Sequence, residues 1–202
     1  MTEIKLCGLT RLCEIEAVNG LRPEYVGFVF YPPSRRCVTA EQAARLRAAL
    51  DPSVRAVGVF VDEPPEQVAA LLEAGVIDMA QLHGREDTDY YHNLRALTDK
   101  PVIKAFRVHT PDECRLAEAY PSEYLLLDAG MGDGRTFDWS AAAGVLRPYF
   151  LAGGLHADNV GEAVRRLRPF AVDVSSGIET DGVKDLNKMA AFVAAVRKED
   201  AI

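Results

Sequence analysis

Short apolar runs rich in β-branched and aromatic residues recur along the chain at intervals of roughly 20 to 30 residues. They read EIKLCG, YVGFVF, VRAVGVFV, IDMAQLH, PVIKAF, EYLLLDA, YFLAGG and FAVDVSSG, which makes eight predicted strands. Between them the period changes from continuous to three- and four-residue spacing, clearest in AEQAARLRAAL, PEQVAALLEAG, ADNVGEAVRRLRP and KDLNKMAAFVAAVRKE. That spacing puts apolar side chains on one face of a helix. Thr39, Asp87, Thr110 and His156-Ala157-Asp158 precede helical segments as start signals, and Gly75 follows the third helix as a stop.

Strands that are apolar along their whole length are buried on both faces, as in parallel sheets covered by helices. Eight strand-and-helix alternations are the number that closes into a (β/α)8 TIM barrel, so the sequence predicts an α/β fold of that kind as a single domain over residues 1–202. An open, doubly wound sheet is the competing architecture. It usually carries a glycine-rich dinucleotide loop after the first strand, where this chain reads KLCGLT.

Composition narrows the function. At 202 residues, with 49% hydrophobic and 26% charged residues, the chain has the profile of a globular domain with one sizeable core. A net charge of -7 opposes general attraction to nucleic acid or anionic membranes but permits a local anion pocket. No apolar run approaches the roughly 20 residues of a membrane helix, and the start MTEIKLCG lacks the features of a signal peptide, so a cytoplasmic protein is expected. Cys7, Cys13, Cys37 and Cys114 lack the spacing of a zinc site or disulfide framework and are expected as reduced thiols.

In a barrel the chemistry sits at the C-terminal ends of the strands. The first strand ends in Cys7, whose thiolate could remove a proton from a substrate carbon, or whose thiol could serve as a small buried hydrophobe. The sixth ends in Asp128 after three leucines. That apolar setting could keep the carboxyl protonated as a general acid, at a cost of roughly 4 kcal/mol for about three units above its ordinary value near 3.9; a capping aspartate is the plainer reading. The seventh and eighth end in AGGL and VSSGIE, so Gly153, Gly154, Ser175, Ser176 and Gly177 offer N–H groups and hydroxyls where barrels commonly hold phosphate, although glycines also serve tight turns. Arg35 and Arg36, in YPPSRRCV, could each grip a carboxylate through the guanidinium fork. Gln81, His83, Lys104 and Arg107 add donors expected on the same rim. No HExxH, paired CxxC or Walker A sequence occurs, and neither a metal nor a cofactor is expected.

KLCGLT, GFVFYPPSRRCV, VGVFVDEP, QLHGRED, IKAFRV, LLLDA, TFDW, LAGGL and DVSSGIE, in this order and placement from near Met1 to about Asp185, resemble the phosphoribosylanthranilate isomerase family. The resemblance implies an Amadori rearrangement in tryptophan biosynthesis on a small substrate bearing one phosphate and one carboxylate. It further implies Cys7 as general base, Asp128 as general acid, Arg36 on the carboxylate, and the loops at Gly153-Gly154 and Ser175-Gly177 on the phosphate. A bell-shaped pH profile insensitive to chelators follows. Two departures stand out: the family's Ser-Pro-Arg reads Ser34-Arg35-Arg36, and the loop AGMGDGRTFDW carries Met131 and Asp133.

A sugar-phosphate epimerase or histidine-pathway isomerase would use the same phosphate loops with two aspartates, and a non-enzymatic phosphate-ligand module would keep the loops without turnover. Outer helices that bury their apolar face on the barrel leave monomer and homodimer equally open.

Overall fold

Side chains alternate between two surfaces along each apolar run, and both surfaces are buried, because the strands close on themselves. The structure is a computed structural model that describes residues 1–128 and 139–200. Strands β1 (Glu3–Cys7), β2 (Tyr25–Val29), β3 (Arg55–Phe60), β4 (Met79–Leu82), β5 (Val102–Arg107), β6 (Tyr124–Asp128), β7 (Tyr149–Ala152) and β8 (Ala171–Val174) pair in chain order. All pairs are parallel, and β8 pairs back onto β1 from Glu3↔Ala171 to Leu6↔Val174, which closes the barrel. All eight predicted strands are present.

Helices α1 (Leu12–Leu21), α2 (Ala40–Ala49), α3 (Pro65–Glu73), α4 (Thr88–Arg95), α5 (Pro111–Glu118), α6 (Val160–Leu167) and α7 (Leu186–Asp200) follow β1 to β5, β7 and β8. Three start signals act as read: Thr39 and Thr110 close capping boxes with Gln42 and Glu113, and Asp87 accepts from the Tyr90 N–H. At the fourth, Asn159 rather than Asp158 takes the cap position of α6. Gly75 follows α3 with φ +69°, the left-handed stop that glycine tolerates. The regular alternation breaks between β6 and β7, where the described residues form a 3-10 helix, Trp139–Gly144. The loop with Met131 and Asp133, and most of TFDW, lie outside the described residues.

The two buried surfaces have different tasks. Ile4, Leu6, Val26, Phe28, Leu82, Leu127 and Leu151 face outward and pack under the helices. Inward, Tyr25, Val57, Met79, Ile103, Leu126, Phe150 and Ala171 fill the barrel, with Cys7, Val29 and Val59 above them. The N-terminal end is plugged by aromatics: Tyr25 and Phe150 pack edge-on at 5.2 Å, and Tyr124 lies 5.1 Å from Phe170. These rings close the barrel interior at that end, and the interior opens towards the C-terminal ends of the strands. Among the described residues, no helix is long and apolar enough to cross a membrane.

Candidate active site

The C-terminal mouth opens into a cavity of about 470 Å³. Cys7, Arg36, Gln81, His83, Asp128, Gly153, Gly154, Ser175, Ser176 and Gly177 all line it, although they come from six different strand ends or loops. Arg107 joins them. Lys104 does not. Its neighbours Ile103 and Ala105 point into the barrel, so the two-residue period turns Lys104 towards the helices. There it is buried and donates to Glu86 Oε2 at 2.7 Å and to the Gly84 carbonyl at 2.8 Å. Its placement on the rim is thereby corrected: it braces the β3 and β4 loops through Glu86, which also accepts from the Asp62 and Gly84 N–H groups.

Cys7 is 7% exposed and its position depends on an absent side chain next door. A Cβ on Gly27, its register partner on β2, would fall 2.5 Å from Cys7 Sγ. One residue on, Gly8 takes φ +81°, and a Cβ there would meet Arg36 Cδ at 2.5 Å. Glycine at 8 and 27 thus makes room for the thiol and for the stem of Arg36.

Beneath Cys7 the barrel holds a charged pair that apolar patterning conceals. Lys5 Nζ, fully buried, lies 2.9 Å from Asp173 Oδ1, and Asp173 also lines the cavity. Burial would lower the Lys5 pKa, but the carboxylate of Asp173 and the neighbouring Cys7 outweigh it and raise the value. Burial pushes the Cys7 thiol up. Lys5 and Lys184 pull against that rise, and Asp173 adds to it. The thiol is therefore a weaker acid than a free cysteine, and thiolate forms only against a low-dielectric surrounding.

Asp128 sits across the mouth with its side chain 24% exposed, Oδ2 lying 3.7 Å from His83 Nε2. His83 Nδ1 is in turn 2.8 Å from Gln81 Nε2. If the amide nitrogen of Gln81 donates, His83 Nδ1 is the acceptor and Nε2 carries the hydrogen facing the carboxylate. The Gln81–His83 contact holds the His83 ring with Nε2 turned to Asp128. The leucines before Asp128 give it less of an apolar shell than the sequence implies, because Leu125 and Leu127 face the helices.

The two glycine loops meet. Gly153 and Gly154 adopt φ +96° and +65°, turning the chain after β7 around the cavity. Gly177, in the short 3-10 helix Ser176–Ile178, packs so close that a Cβ would come 1.9 Å from the Leu155 carbonyl oxygen. The Ser175 hydroxyl is engaged internally, donating to the Cys7 carbonyl at 3.1 Å and accepting from Lys184 Nζ at 3.2 Å. What these loops offer an anion is backbone N–H together with Ser176.

Arg36 is already partnered. A two-stranded hairpin, β9 (Glu179–Thr180) and β10 (Val183–Lys184), follows the 3-10 helix, and Glu179 accepts from Arg36 Nε at 2.6 Å and Nη2 at 2.9 Å. Arg35 does not line the cavity and contacts the same carboxylate at 2.6 Å. Cys13 lies in α1, Cys37 in the loop after β2 and Cys114 in α5, all as free thiols and none on the cavity.

The family described as N-(5'phosphoribosyl)anthranilate (PRA) isomerase matches residues 4–195. A curated relative of that name from Dechloromonas aromatica (strain RCB) is 46% identical over 207 residues, spanning 98% of both chains. The crystal structure of phosphoribosyl anthranilate isomerase from Thermotoga maritima superposes with a TM-score of 0.90 at 35% identity, covering 98% of this chain and 100% of that one. A structure of the isomerase in complex with reduced 1-(o-carboxyphenylamino)-1-deoxyribulose 5-phosphate gives a TM-score of 0.88 at 36% identity, with 98% and 100% coverage.

Proposed function

The chain belongs to the N-(5'-phosphoribosyl)anthranilate isomerase family, and on that premise we propose how its cavity carries out the reaction. The activity is the intramolecular aldose–ketose rearrangement of N-(5'-phosphoribosyl)anthranilate to 1-(2-carboxyphenylamino)-1-deoxyribulose 5-phosphate, a step of tryptophan biosynthesis. The assignment of roles is carried by one observation: a thiol and a carboxylic acid from strands β1 and β6 line the same cavity as two glycine loops and a guanidinium.

Asp128, as general acid, protonates the ribose ring oxygen. The C1'–O bond breaks and the nitrogen lone pair forms an iminium ion, which acidifies the C2' hydrogen. Cys7, as general base, removes that hydrogen, and the C–H electrons form the enolamine, which tautomerises to the ketone. The phosphate rests on Gly153-Gly154 and Ser175-Gly177, and the anthranilate carboxylate on Arg36. Gln81 and His83 contact the sugar and orient Asp128. The protein acts on this small phosphorylated molecule as a single cytoplasmic domain, a monomer or homodimer, with no nucleic-acid or membrane partner.

The test follows the fluorescence of freshly generated phosphoribosylanthranilate, coupled to indoleglycerol phosphate synthase, for the wild type, Cys7→Ala and Asp128→Asn. Turnover that either substitution abolishes assigns that residue its role. Turnover surviving in Asp128→Asn would move the acid elsewhere, with His83 the first to inspect.

A further inference from the structure

Glu179 does not line the cavity, yet it gathers three cations around a side chain only 4% exposed. Its oxygens accept from Arg36 Nε and Nη2, from Arg35 Nη2, and from Lys184 Nζ at 2.7 Å. Burial raises its pKa, but the hydrogen bonds and charges of Arg36 and Lys184 outweigh this and bring it to about 2. The group is therefore a fixed anion at neutral pH, held by its backbone in a hairpin whose other strand supplies Lys184.

The contact with Arg36 is side-on. It engages one Nε hydrogen and one Nη2 hydrogen, and both bonds lie in the guanidinium plane. Of the five N–H donors, three remain: two on Nη1 and one on Nη2. One Nη1 hydrogen and the remaining Nη2 hydrogen form the end-on edge, which presents two parallel N–H bonds at the spacing of a second carboxylate. Fixing one edge sets the plane, and hence the direction in which the other edge points.

We propose that Glu179 is a positioning residue that presets Arg36 as the receptor for the substrate carboxylate, and so determines preference for an anthranilate over an aniline. This rests on the reading that Arg36 binds that carboxylate. An arginine searching its rotamers would lose conformational freedom when substrate arrives; one already clamped loses little, so its remaining hydrogen bonds appear more fully in affinity. The contrary role, an internal carboxylate competing with the substrate for the same guanidinium, predicts the opposite sign.

The experiment compares wild type, Glu179→Gln, Arg36→Met and the double variant on phosphoribosylanthranilate and on phosphoribosylaniline, which lacks the carboxylate. Glu179→Gln is expected to raise KM for the anthranilate substrate roughly tenfold or more, with a smaller change in kcat and little change for the aniline substrate. In the Arg36→Met background it should add nothing, because the residue it acts through is gone. A lower KM in Glu179→Gln would establish competition and overturn the proposal, as would equal losses on both substrates or full additivity with Arg36→Met. Arg36→Met retaining its preference for the anthranilate would instead overturn the carboxylate assignment itself, and the positioning role with it. Should the amide variant unfold in a thermal melt, Glu179→Asp carries the same expectations, since it keeps the charge but withdraws it by one methylene.

Discussion

Lys5 and Asp173 form an ion pair of 2.9 Å inside the barrel, directly below the thiol of Cys7. Burial raises the Cys7 pKa above the ordinary thiol value, and thiols as a class are weaker acids than carboxyl groups. The reactive form, acid protonated and thiol ionised, is then the minority arrangement of one shared proton. Its population is level between the two pKa values, falls below the carboxyl and falls again above the thiol. The alkaline limb of kcat/KM should therefore report Cys7 and lie above the ordinary thiol value of 9.0. Removing Lys5 alone would strand Asp173, at a cost of about 3–5 kcal/mol. The useful variant is Lys5→Met with Asp173→Asn. Lys5 acts on the thiol more strongly than Asp173 does, so the limb should move to higher pH and the plateau should fall. The same shift should appear in the thiolate absorbance, measured as the difference from Cys7→Ala. A limb that stays in place would separate Lys5 from the chemistry.

Gly27→Ala places a methyl 2.5 Å from Cys7 Sγ and 3.0 Å from Cys7 Cα. Rotating the thiol relieves only the first of these contacts, because the second is backbone. A loss of about 1–3 kcal/mol in denaturant titration is expected from overpacking, with kcat reduced more than KM is raised. Unchanged kcat in a folded variant would mean that the thiol is not held where β2 puts it.

Gly177→Ala drives a methyl into the Leu155 carbonyl oxygen and must part the two loops after β7 and β8. KM should rise roughly tenfold or more and competitive inhibition by inorganic phosphate should weaken in step, with kcat changing less. Phosphate inhibition that stays intact while KM rises would place the phosphate elsewhere on the rim.

Arg35 marks a departure from the family's proline, and its guanidinium, 59% exposed, adds a third cation to Glu179. An exposed pair of this kind contributes about 0–1 kcal/mol. Arg35→Ala should keep KM within about twofold and change the unfolding free energy by no more than that amount, because Arg36 and Lys184 continue to hold Glu179.

The strand ends were legible because a parallel barrel makes its strands apolar throughout and concentrates polarity just beyond them. Cys7, Asp128 and the two glycine loops stand out for that reason. Lys5 and Asp173 were hidden by the same rule: each is a polar residue with apolar neighbours on both sides, and its partner is 168 residues away. Lys104 was misplaced although the signal was available, since its parity against Ile103 and Ala105 turns it outward. The Glu179–Lys184 hairpin has strands of two residues, too short for any periodicity to mark. Gly27 reads as an ordinary strand residue until Cys7 is brought beside it.

Glu179 also fixes an acid transition. Its folded-state pKa, about 2, lies below the 4.5 of the unfolded chain, so the folded state binds the proton less readily. A group shifted in this direction stabilises the fold above its unfolded value and loses that contribution as pH falls towards its folded value. The window is pH 4.5 down to about 2, and the difference corresponds to about 3 kcal/mol for this nearly buried carboxylate. In Glu179→Gln there is no proton to take up, so unfolding free energy measured across that window should fall less steeply than in the wild type, although the variant starts lower at neutral pH. Parallel slopes for the two proteins would show that the carboxylate is protonated in the unfolded and folded chain alike, and that its three cations do not hold it as an anion.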